Sequence, residues 1–201
     1  IFFFHPMAAR RSSLRVPEAP RRDLALAVCL GNRTVGLALV TRERLLRAHA
    51  VTLHRVPGPK RAAYLTALLS GLVDAYQPGR IVVVEPPSLS RCPLAERLHG
   101  WTWRFAGAQE RIATSYAAVL VRASQVGDRC RATNRNLAAV LTDRFPELRT
   151  LIGPSANERT PTWSHRAPVR TPRERYCARV VLAIAGALHD LDADLKRRLC
   201  P

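Results

Sequence analysis

Residues 24–40 read LALAVCLGNRTVGLALV, two short apolar runs separated by Gly31-Asn32-Arg33. Runs of this length, bounded by Gly, Asn and charged residues, predict two strands of an antiparallel hairpin. A weaker run at 48–53 (AHAVTL) predicts a third antiparallel strand before Pro57-Gly58-Pro59 breaks the pattern. Residues 60–76 then place Ala63, Leu65, Leu68, Leu69, Leu72, Val73 and Tyr76 three and four apart, the spacing of an amphipathic helix.

Pro78-Gly79 is expected to end that helix. The run IVVV at 81–84 has no alternation and predicts a strand buried on both faces of a sheet. It leads into Glu85 and Pro86-Pro87. Helical spacing returns from 93 to about 116, with Trp101 and Phe105 on an inward face, and AVLV at 118–121 predicts a further strand. Helices are predicted near 134–145 and over 172–196, where Pro172 suits a first helical turn. Residues 146–172, rich in Pro, Thr, Ser and Arg, predict a flexible basic loop. The order β-β-β-α-β-α-β-α-α implies an α/β fold: a mixed sheet, three antiparallel strands then alternating α and β, with helices on both faces.

The 201 residues carry 32 Lys+Arg against 15 Asp+Glu, a formal net charge of +17. All the basic residues but Lys60 and Lys196 are arginine. A hydrophobic content of 47% excludes wholesale disorder, and no apolar run is long enough for a membrane helix. Such a charge points to a polyanionic partner. Segment 7–22 (MAARRSSLRVPEAPRR) is Arg- and Ser-rich and acid-poor, as organelle transit peptides are, and predicts a mitochondrial address. Residues 1–22 are therefore expected to be a basic tail, and 23–201 the folded domain, which retains +13 of the charge. The five cysteines, Cys29, Cys92, Cys130, Cys177 and Cys200, form no C-x-x-C pair. Their scatter speaks against structural zinc and for a reducing compartment.

Four segments resemble the RuvC-type Holliday-junction resolvases, whose fold is ribonuclease-H-like. AVCLGNRTVGLALV (27–40) resembles the family's opening hairpin, and VVVEPP (82–87) its fourth strand, ending in a catalytic glutamate. VLVRASQV (119–126) resembles the fifth strand and the turn after it, and RYCARVVLAIAGAL (175–188) the terminal helix. The resemblance implies a nuclease whose carboxylates hold two divalent metals about a scissile phosphate. Here Glu85 stands at the glutamate position. The other three positions carry Cys29, Cys177 and Val180, where the family has acids.

Two functions follow as expectations. The first is a non-catalytic nucleic-acid-binding protein on a RuvC-like fold, with no metal or cofactor. RNA is its favoured partner, and it would be a component or assembly factor of an organellar ribonucleoprotein such as the mitochondrial ribosome. Its contacts are expected from Arg122, Arg129, Arg131, Arg135, Arg159, Arg166, Arg170 and Arg173, with Trp163 stacking on an unpaired base. The alternative is a divergent Mg²⁺-dependent junction-resolving endonuclease acting as a homodimer. Glu85 and Glu174, one turn before Cys177, would then share a cation. A protein-interaction scaffold is the third possibility.

Overall fold

The computed structural model describes residues 21–31, 34–53, 56–85, 93–109, 111–126, 133–152 and 172–199. Residues 1–20 of the predicted tail and 153–171 of the predicted loop lie outside them, whereas Arg21 and Arg22 belong to the first strand and Leu148–Ile152, expected in the loop, is helical. The sheet is built from β1 (Arg21–Leu30), β2 (Thr34–Val40), β3 (Leu45–Thr52), β4 (Pro78–Glu85) and β5 (Ile112–Ala117). Their order is β3-β2-β1-β4-β5, with β1–β2 and β2–β3 antiparallel and β1–β4 and β4–β5 parallel. The helices are α1 (Arg61–Tyr76), α2 (Pro93–Gly107), α3 (Ala118–Val126), α4 (Asn134–Arg144), α5 (Leu148–Ile152) and α6 (Pro172–Leu199). None of the described helices is long and apolar enough to cross a membrane. This is the mixed sheet with helices on both faces that the sequence predicts.

The hairpin explains how two different layers cover one sheet. Along β1 and β2 large and small side chains alternate, so the pleat sends each class to its own face. Leu24, Leu26, Val28, Leu30, Val35, Leu37 and Leu39 pack with Leu65, Leu69, Leu72 and Val73 of α1 and Leu98 and Ala106 of α2. Ala25, Ala27, Cys29 and Ala38 pack on the other face, under α6, with Val82 and Val84 of β4. Small residues let the 28-residue α6 lie close to the sheet. The approach is tightest at Gly36, where an added Cβ would fall 2.2 Å from the Arg179 carbonyl carbon.

Three boundaries differ from those the sequence predicts. The fifth strand is Ile112–Ala117, and AVLV at 118–121 opens α3 instead. IATSYA is half-exposed at the sheet edge, so it needs no dense apolar run. Ala118 and Val121, three apart, are buried, whereas Val119 and Leu120 face outward, which is helical spacing. The helix predicted over 93–116 accordingly stops at Gly107. Pro78-Gly79 starts β4 directly, because Gln77 turns the chain in the left-handed region (φ 48°). Trp101 and Phe105 do stack inward, their centroids 5.7 Å apart.

At the amino end of β4, Arg80 is almost fully buried (1% exposed). Its Nη1 donates to Asp190 Oδ2 at 3.1 Å, and Nη2 lies 2.7 Å from Asp194 Oδ1. The Tyr116 hydroxyl donates to Asp190 Oδ1 at 2.8 Å. These contacts tie the last turns of α6 to β4 and β5. Burial first, then the hydrogen bond and charge of Asp190, push the Tyr116 phenol up to about 12. Spectrophotometric titration of the four tyrosines should therefore show one ionising near pH 12, absent in Tyr116→Phe. The phenol is neutral in the folded state after the unfolded chain has lost its proton. Stability from this group thus holds below pH 10 and falls as pH rises towards 12. A late step that survives Tyr116→Phe would contradict the assignment.

Candidate functional site

The carboxyl ends of β1 and β4 lie side by side, with Cys29 level with Val84. This is the edge on which the resemblance places a metal centre. Cys29 and Val180 are fully buried within the apolar cluster between the sheet and α6. Cys177 is also buried, and its thiol donates to the Leu151 carbonyl at 3.7 Å. Burial pushes the Cys29 thiol up from its ordinary value, countered only in part by the charge and hydrogen bond of Arg179. A neutral thiol is a poor ligand for a hard divalent cation, which demands oxygen donors.

Glu85 is held on the other side of the sheet. Successive residues of β4 alternate: Val82 and Val84 face α6, Ile81 and Val83 face α1 and α2. Glu85 continues the second series. Its Oε1 lies 3.2 Å from Nε2 of His99 on α2 and accepts from Ser115 Oγ at 3.2 Å. The strand-end acid thus pairs with a histidine and a serine. It is separated by the sheet from Cys29 and Val180. Among the described residues no three His, Cys, Asp or Glu side chains come together as a metal-binding group. The residues at the four positions do not fit the two-metal centre that the resemblance implies.

Asp190 and Asp194 neutralise Arg80 at the far end of the sheet. Asp23 and Asp194 line a cleft of about 350 Å³ there, together with Arg22, Thr41, Arg42, Glu43 and Leu191. Glu174 and Arg173 belong to the first turn of α6, and Arg135 to α4. The side chains of these three lie outside the described ones. Arg129, Arg131, Arg159, Trp163, Arg166 and Arg170 lie outside the described residues altogether. Arg122 is half-buried on α3, and its Nη1 donates to Asn134 Oδ1 at 3.2 Å. It therefore also joins α3 to the start of α4.

Sequence reasoning missed Arg179. It follows Cys177 by two residues, and its Nη1 donates to Cys29 Sγ at 4.0 Å. Its side chain passes Gly31, where a Cβ would meet Nε at 2.7 Å. Its backbone sits on Gly36, beside Cys29 in the hairpin register. The available signal was Gly36 inside an otherwise apolar strand, which marks a close backbone approach.

No protein-family model and no curated protein sequence matches the chain. Solved structures do. A Thermus thermophilus RuvC in complex with a Holliday junction substrate superposes with a TM-score of 0.60 at 14% identity, over 87% of this chain and 97% of that one. A second T. thermophilus RuvC structure gives a TM-score of 0.56 at 16% identity, over 86% and 96%. The yeast mitochondrial Holliday junction resolvase Ydc2 gives 0.51 at 14% identity, over 90% and 83%. The chain has the ribonuclease-H-like fold of RuvC over most of its length.

Proposed function

We propose that this protein binds branched DNA of the four-way-junction kind and does not hydrolyse it. The observation that carries the reading is the division of the metal site. In a RuvC fold, the one retained carboxylate, Glu85, faces α2, while Cys29 and Val180 are sealed beneath α6. Two-metal hydrolysis needs carboxylates converging on one phosphate from the same side. The net charge of +13 over residues 23–201, whose basic residues are nearly all arginine, suits a phosphate-rich partner.

The solved neighbours favour a junction over the RNA expected from sequence, since one is in complex with a Holliday junction substrate and another is a junction resolvase. A fluorescence titration tests the reading. It would compare a four-way junction, a linear duplex of the same sequence and a stem-loop RNA over a range of salt. The junction should bind at least about tenfold more tightly than the duplex, with affinity falling steeply as salt rises. Tighter binding of the RNA would restore the ribonucleoprotein reading. Affinity insensitive to salt would favour a protein-interaction scaffold.

A further inference from the structure

We infer that Arg179 is a phosphate anchor at the carboxyl end of β1, a fixed guanidinium that grips the backbone of the bound DNA. The inference deepens the proposed function and rests on it. Arg179 differs from the other buried and half-buried arginines in what it touches. Arg80 is neutralised by two aspartates. Arg111 donates to the Pro78 carbonyl and to Gln77 Oε1, and Arg61 to the Val56 carbonyl. Arg42 donates to the Leu191 carbonyl, and Arg122 to Asn134. For Arg179 the polar partner among the described residues is the Cys29 thiol, which burial keeps neutral. No carboxylate of the described residues forms an ion pair with it, Glu85 included.

An arginine fork has five N–H donors in one plane, and among the described residues Arg179 uses one nitrogen, in a weak contact to sulfur. Its position is nonetheless fixed. The α6 backbone is pressed onto Gly36, and Gly31 clears a path that any β-carbon would block. A pre-positioned, partly exposed guanidinium that no described carboxylate neutralises is suited to bidentate contact with a phosphate, because little side-chain freedom remains to be lost on binding. The cation at this sheet edge is then covalently part of the chain.

Junction binding measured in EDTA, across a salt series, tests this directly. Arg179→Gln should weaken binding about tenfold and make the slope of log affinity against log salt shallower by about one. Arg179→Lys keeps the charge but not the fork, so it should keep the slope and recover only part of the affinity. Gly31→Ala keeps the arginine but displaces its Nε, the far end of a flexible side chain, and should weaken binding by less than Arg179→Gln does. Urea unfolding of each variant checks that the fold is kept, and Arg179→Lys carries the test if Arg179→Gln does not fold. Unchanged affinity and slope in folded Arg179→Gln, or fully native affinity in folded Arg179→Lys, would overturn the anchor. The same loss of slope on junction and linear duplex, with no preference between them, would uphold the anchor and overturn only the junction reading.

Discussion

Replacing Arg80 with methionine is expected to destabilise the protein by about 3–5 kcal/mol, the cost of leaving a buried charge without its partner. Asp190 has no exposed surface, and its remaining described partner would be the Tyr116 hydroxyl. One hydrogen bond cannot replace the guanidinium in a region that water does not reach. Asp194, 18% exposed, can recover hydration, so the damage centres on Asp190. Urea unfolding monitored by tryptophan fluorescence and by circular dichroism measures the loss. Combining Arg80→Met with Asp190→Leu should recover a large part of it, because the pair contributes little beyond an apolar pair of similar volume. A single-variant loss below about 1 kcal/mol, the level of an exposed pair, would contradict this picture.

The second large effect is expected at Gly36. An alanine there would put its Cβ 2.2 Å from the Arg179 carbonyl carbon, 2.3 Å from that oxygen and 2.5 Å from the Val180 nitrogen. All three are backbone atoms, so no rotamer change relieves the clash, and α6 must lift from the sheet. Overpacking of this kind costs about 3 kcal/mol. Lifting α6 would also draw Arg179 away from Cys29, so junction binding should weaken with stability. Gly71 is the internal control: it is exposed in the middle of α1, and an added Cβ there meets nothing within 4 Å. Gly71→Ala should stabilise by about 0.5–1 kcal/mol, since alanine restricts the unfolded chain and favours helix. Unfolding midpoints that move the same way in both variants would refute the close approach of α6.

How far these features can be read from sequence depends on whether their signal is local. The hairpin, α1, β4 and α6 are legible because each buries an apolar run or stripe bounded by Gly, Pro or charge. β5 was not, because an edge strand with one neighbour can be as polar as IATSYA. Glu85 is correctly placed at the end of β4, yet its direction was hidden. A run such as IVVV carries no alternation to say which face the next residue joins, and only the packing of Val83 against α1 and α2 decides it. Arg179 is one of thirty arginines on a basic chain. What sets it apart is a neutral thiol and two glycines that the fold brings against it from another part of the chain.

The central claim, a junction gripped and left intact, is tested most directly by incubating a four-way DNA junction with Mg²⁺ or Mn²⁺. The protein is held at a concentration shown by titration to saturate binding. The account predicts full occupancy with no strand cleavage above the protein-free background, and no difference between the native chain and Glu85→Gln. Robust, paired cleavage of the junction that Glu85→Gln abolishes would contradict it.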